Sequence, residues 1–158
     1  MTIQIDSREK IKAIQKILAE FDRIGVKYFT SKLFVGDYMN MDNPRLVIDR
    51  KQNLNELCGN VVQDHKRFAA ELIRAKEMGI GMIVLCEHGK NIKTLDDVMT
   101  WKNPRLKHSP LAVSGERLYR ILYAMQSNRD KYDVTFLFCS KDETGRRIIE
   151  LLQNEKPD

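Results

Sequence analysis

The chain has 158 residues, 42% hydrophobic and 31% charged, which suits one globular domain with a real core and leaves little room for a second. Lysine and arginine number 27 against 22 aspartate and glutamate, so the net charge is +5 and the pI about 9.1, a balance that permits a nucleic-acid partner without demanding one. No apolar run approaches the roughly 18 residues of a membrane span, and charges near the N-terminus leave no room for a secretory signal.

In chain order, Ile3 to Asp6 alternates apolar with polar and predicts a short strand. Ser7 offers an N-cap for a helix running to about Ile24, with Ile11, Ile14, Leu18 and Phe21 as its stripe, Ile17 and Ile24 widening it, and Gly25 as its left-handed stop. "VKYFTSKLFVGDYMNM" is β-branched and aromatic enough for one or two strand segments, the clearer being Leu33 to Met41. Asp42 to Pro44 is turn chemistry, and "RLVIDRK" returns as the second strand of a ribbon.

Leu54 to Met78 reads as helix, interrupted near Gly59, and Ile80 to Glu87 as a strand buried on both faces. "TLDDVMTW" predicts a short helix capped by Thr94. "KNPRLKHSPLAVSG", just after Trp101, predicts a polar loop with Lys102, Arg105 and Lys107. A helix from Ser114 to Ser127, a buried strand "DVTFLFCS" and a helix after Thr144 complete an α/β fold with a central mixed β-sheet flanked by helices. Cys58, Cys86 and Cys139 are odd in number, form no CxxC pair and partly lie in apolar runs, which points to a reducing, cytoplasmic compartment.

The ribbon carries the chemistry. Asp49 and Lys51, two apart on a strand, project from one face, and Ile48 and Arg50 from the other. Asp37 follows Gly36, which allows a bend that aims its carboxylate toward the Asp49 face. On spacing alone two readings stand: solvated strand residues, or a pair of carboxylates that holds Mg²⁺ or Mn²⁺ beside a lysine able to orient water at a phosphodiester. No glycine-rich loop of the Walker or Rossmann type supports other phosphate chemistry.

These residues also resemble a family. Gly36-Asp37 followed by Asp49-Arg50-Lys51 is similar to the GDX(n)ERKX(3)D pattern of the XPF/Hef structure-specific endonucleases, a variant of the PD-(D/E)XK site. "IDSRE", with Asp6, Arg8 and Glu9, resembles the family's opening motif. "DHKRF", with Lys66 and Arg67, is similar to the stretch whose arginine lies near the cleaved phosphate. "MIVLCE" and "DVTFLFCSKDETGRRIIELL" resemble its next core strand and its closing strand and helix.

The resemblance spans almost the whole chain and implies a restriction-endonuclease-like fold. It implies a Mg²⁺- or Mn²⁺-dependent DNA endonuclease acting on branched or flapped DNA, with Asp37, Asp49, Arg50 and Lys51 catalytic and Asp37, Asp49, Asp6 and Glu9 around the metal. Arg67, Lys66, Arg8, Lys102, Arg105 and Lys107 are the candidate DNA contacts. Arg67 also suits a solvated helix face, Arg50 a structural role, and the basic loop plain solvation. Two positions depart from the pattern: Asp49 stands where glutamate is usual, and neutral Asn55 where the final aspartate is expected.

The 158 residues carry no helix-hairpin-helix module, so the expectation is a single nuclease domain of the stand-alone kind found in phage and mobile elements, working in the cytoplasm of a bacterial or phage-infected cell. The alternative is a catalytically silent copy of the same fold that binds DNA or scaffolds a partner, against which the survival of Asp37, Asp49, Arg50 and Lys51 argues. A homodimer through C-terminal helices is a further expectation, resting on the stripe Leu118, Ile121, Leu122 and Met125, which burial in the monomer explains equally well.

Overall fold

The computed structural model describes residues 1–88 and 91–154. Six strands form one mixed sheet in the order β2-β1-β3-β4-β5-β6: β1 Thr2–Ile5, β2 Lys27–Thr30, β3 Tyr38–Asn40, β4 Asn43–Lys51, β5 Gly81–Glu87 and β6 Val134–Cys139. β3 runs antiparallel to both β1 and β4, whereas β4, β5 and β6 are mutually parallel, Asp49 lying opposite Val84 and Val84 opposite Phe136.

Alternation along β4 splits the interior into two layers. Val47 faces a core built with Val84, Cys86, Phe136 and Phe138 and covered by α2 Leu54–Cys58, α3 His65–Glu77 and α4 Gly115–Ser127. Leu46 and Ile48 face the other, with Ile3, Ile5, Tyr38 and Leu85, covered by α1 Gln15–Ile24 and α5 Thr144–Gln153. The two covering helices approach closely at Gly145, where an added Cβ would meet the Glu20 Cβ at 2.8 Å. All three cysteines are free and buried. No helix among the described residues is long and apolar enough to cross a membrane.

The first helix departs from its expected bounds. Residues Ile11–Ala13 form a 3-10 turn, α1 begins at Gln15, and Ser7 caps nothing. The residues before it are held by tertiary bonds instead, Asp6 by Arg8 and Leu33, and Glu9 by Arg50 and Tyr38. The later start rotates the buried stripe onto Ile14, Ile17 and Phe21 and leaves Ile11 and Ile24 exposed. Gly25 takes the left-handed conformation expected at the C-terminus, φ 84°.

The predicted strand Leu33 to Met41 shortens to β3, because residues 31–37 bend around the end of β1. The long helix after Leu54 is two helices joined by a π turn, Gly59–Gln63, at the anticipated interruption. Thr94 is not a cap: the Asp97 carboxylate instead accepts from the Lys93 and Thr94 N–H groups at 2.9 and 3.0 Å, ahead of a 3-10 turn, Asp96–Thr100. Ser114 does cap α4, its hydroxyl accepting from the Arg117 N–H at 3.1 Å.

Candidate active site

Gly36 makes the bend at the base of the ribbon. Its φ of 75° is left-handed, and a Cβ there would lie 2.9 Å from the Val47 Cβ, so both conformation and space exclude a side chain. The bend delivers Asp37 to the end of β3, where its N–H donates to the Ile48 carbonyl at 2.8 Å and its carbonyl accepts from the Asp6 N–H at 2.8 Å. The Asp37 carboxylate accepts from the Arg50 N–H at 2.7 Å.

That bond turns the carboxylate onto the Asp49 side of β4, and the two acids meet in hydrogen-bond contact. Burial, then the charge of Asp49, the hydrogen bond with Asp49 and the charge of Glu9 push the Asp37 carboxyl up to about 9. Without a cation the pair therefore holds a proton near neutrality, since adjacent carboxylates shielded from water cannot both ionise.

Lys51 lies beside the pair, its Nζ 3.0 Å from an Asp49 oxygen and 6.0 Å from the centre of the Phe68 ring on α3. Burial disfavours the ammonium, but the charge and hydrogen bond of Asp49 and the charges of Asp37 and Glu56 together outweigh it, and the Lys51 pKa stands above its ordinary value. Lys51 is thus a held cation at neutral pH, and it can orient a water molecule or meet negative charge.

Arg50 faces the opposite side. Its Nε lies 3.0 Å from Glu9, its Nη1 2.8 Å from Glu87, and its side chain is 4% exposed. Tyr38 donates to the same Glu9 oxygen at 2.9 Å. The arginine reaches the site through its backbone N–H alone, which makes it a positioning residue for Asp37.

Asp6 and Glu9, expected around a metal, have partners already. Asp6 accepts from Arg8 Nε at 2.7 Å and from the Leu33 N–H at 2.9 Å. Burial would raise its carboxyl, but those two bonds outweigh it and hold the group below the usual aspartate range. The structure brings Asp37, Asp49 and Lys51 together and turns Asp6 and Glu9 toward cations of their own.

Of the expected DNA contacts, Arg8 lies close enough for its charge to act on Asp37. Lys66 and Arg67 are exposed on α3. Lys102, Arg105 and Lys107 are exposed around a 3-10 turn, Pro104–Lys107, with the charge of Arg105 reaching Cys58 at the end of α2. The stripe of α4 is spent internally: Leu118, Leu122 and Met125 are core, and Tyr123 is the large hydrophobic side chain that helix leaves exposed.

Sequence reasoning missed Glu71. It sits half-buried on α3, three residues after Phe68, and burial, then the charge of Asp49, push its carboxyl above the usual glutamate range. Its spacing from Arg67 and Phe68 put it on their helix face, but nothing in the sequence said that this face borders the ribbon. Glu87 was legible as a strand end, yet its pairing with Arg50 was not.

The donor set of Asp37 and Asp49, hard oxygens forced into contact, fits Mg²⁺ or Mn²⁺. Among the described residues no three His, Cys, Asp or Glu side chains form a ready metal cage. Magnesium sites of one or two carboxylates completed by water and substrate phosphate do not need one.

No curated protein matches the chain. Among the solved structures that resemble it are XPF from Aeropyrum pernix (TM-score 0.66, 19% identity, covering 97% of this chain and 64% of that one) and XPF from Aeropyrum pernix in complex with DNA (TM-score 0.65, 19% identity, covering 96% and 63%). The chain spans just under two thirds of the length of those XPF chains, and at this identity the likeness establishes the fold. The ERCC4 domain matches residues 5–144, which takes in both carboxylates, the lysine and the strands β2 to β6. With its motifs in order on a mixed sheet of this topology, the chain belongs to the ERCC4 domain family.

Proposed function

We propose that the protein is a divalent-metal-dependent DNA endonuclease that hydrolyses phosphodiester bonds in branched or flapped DNA. The observation that carries this reading is the Asp37–Asp49 contact, a costly arrangement for the fold unless a cation relieves it, with Lys51 held 3.0 Å from Asp49. Asp37 and Asp49 would hold Mg²⁺ or Mn²⁺, which supplies Lewis-acid stabilisation of phosphoryl charge and a more acidic water.

The chain's own residues do the rest. The Arg50 N–H fixes the orientation of Asp37. Lys51, kept as an ammonium, orients the attacking water and meets charge as it develops on the phosphoryl oxygens. Arg67, Lys66 and Arg8 hold the backbone on either side, and Lys102, Arg105 and Lys107 extend the basic surface. Three buried thiols suit a reducing cell interior. Self-association through the C-terminal helices belongs to the same reading and is measured by sedimentation.

The silent alternative, a DNA-binding copy of the fold, draws on one observation: two candidate cation ligands, Asp6 and Glu9, are already occupied by arginines. Labelled flap, fork, four-way junction and plain duplex DNA with Mg²⁺, Mn²⁺ or EDTA separate the readings. Cutting with either metal, none in EDTA, none by a folded Asp37→Asn protein and much slower cutting by Lys51→Met is the expected result. Binding without cutting under every metal condition would favour the silent copy, and cutting by Asp37→Asn would reject the assigned site.

A further inference from the structure

Phe34 stands in the bend ahead of Asp37 with no part in the core. Its neighbours Leu33 and Val35 are 4% and 3% exposed, whereas Phe34 is 62% exposed. Single exposed apolar residues are common on protein surfaces, so exposure alone carries little weight. The support beneath this one is what distinguishes it.

Residues 31–36 form neither strand nor helix, yet they are pinned at several points. The Ser31 N–H donates to the Ile5 carbonyl at 3.0 Å. The Leu33 N–H donates at 2.9 Å to Asp6, a carboxylate 1% exposed, and Arg8 Nη2 reaches the Leu33 carbonyl at 3.4 Å. Gln4 Nε2 donates to the Lys32 carbonyl at 3.3 Å. The buried acid expected at a metal is thus spent on holding the backbone that presents this ring.

Position and charge indicate the occupant. Asp37 is the third residue after Phe34, a stretch that cannot span more than about 11 Å. Lys32, two residues ahead of Phe34, is exposed, and the Arg8 side chain is 66% exposed, with a charge that acts on both Asp37 and Glu71. A flat apolar ring with cations next to it is how proteins hold single-stranded nucleic acid, the cations taking phosphate and the ring taking a base face. A ring fixed before binding also loses little freedom when a base covers it.

We propose that Phe34 is a stacking platform for an unpaired nucleobase next to the cleaved phosphate, with Arg8 and Lys32 on the flanking backbone. The inference rests on the DNA-cleavage reading and adds the feature that selects the substrate: DNA in which the base beside the scissile phosphate is free of the duplex is preferred over plain duplex.

The test compares the full chain with its Phe34→Ala and Phe34→Trp variants, for cutting in Mg²⁺, and for binding by the same set in an Asp37→Asn background. The probes are a flapped duplex with 2-aminopurine at the branch and a plain duplex. Phe34→Ala is expected to weaken flap binding by roughly 5- to 150-fold, the range of one lost base–aromatic stack, while plain-duplex binding holds. Phe34→Trp is expected to restore the flap preference and quench the 2-aminopurine. If the unaltered chain cuts flapped DNA and Phe34→Ala binds and cuts both probes as it does, the stacking role is overturned and the nuclease reading stands. If the unaltered chain neither binds nor cuts either probe, the nuclease reading falls and this inference with it.

Discussion

The Arg50 N–H holds the Asp37 carboxylate at 2.7 Å on one face of β4 while the Arg50 guanidinium holds Glu9 and Glu87 on the other. One residue thus ties the acidic pair to a buried ionic network across the sheet. Arg50→Met should leave two carboxylates unpaired in the interior and cost about 3–5 kcal/mol, the usual penalty for breaking a buried pair. Urea unfolding measures the loss, and Glu9→Gln in the Arg50→Met background should recover part of it.

Metal-free stability should depend on pH through Asp37. Its carboxyl is raised from 3.8 to about 9 in the fold. The unfolded chain therefore releases this proton at low pH and the folded chain keeps it. The associated stability is complete below about pH 4 and is lost as pH rises through about 9. Melting curves in EDTA should show this slope for the unaltered chain and a shallower one for Asp37→Asn, which should melt higher at pH 8. Added Mg²⁺ or Mn²⁺ should raise the melting temperature of the former much more than that of the latter.

Lys51 should not titrate in the working range. Its pKa lies above the ordinary 10.5: burial lowers it, but the charge and hydrogen bond of Asp49 and the charges of Asp37 and Glu56 together outweigh burial. The rate of cutting against pH should show no lysine limb between pH 6 and 10, and Lys51→Met should lower the rate by a factor that is constant across that range. A factor that shrinks at alkaline pH would show a lysine losing its proton there.

Gly36→Ala should be costly far beyond its size. A left-handed backbone costs an alanine about 1–2 kcal/mol, and the added Cβ would also press on Val47 at 2.9 Å. Lower stability together with weaker cutting is expected, because the same bend aims Asp37.

Arg67→Ala should weaken DNA binding similarly across sequences and lower the salt-dependence slope by about 1, as for one lost phosphate contact. Titrations at several ionic strengths read the slope directly.

Residues whose pattern is local were legible. β5 announced itself by its apolar run, α4 by Ser114 and its stripe, and Asp49 and Lys51 shared a face by strand alternation alone. What was not legible lies between elements. Ser7 and Thr94 looked like caps, but α1 starts only at Gln15 and the Asp97 side chain takes the Thr94 N–H, while Asp6 and Glu9 meet partners far along the chain, Leu33 and Arg50, that no local pattern shows. Glu71 was missed because the side of α3 that meets the ribbon depends on how two elements pack, which no single-element period encodes.

The sheet has a seam between β3 and β4. Beyond it on one side lie the three-residue β3 and the four-residue β1 and β2, on the other the long parallel strands β4, β5 and β6, and the register slips at Met39 and Asn40 where the two parts join. Asp37 belongs to the smaller part and Asp49 with Lys51 to the larger. Asp37 already crosses this line through its bonds to the Ile48 carbonyl and the Arg50 N–H, so an ion seated between the acids would act as a further staple across the seam.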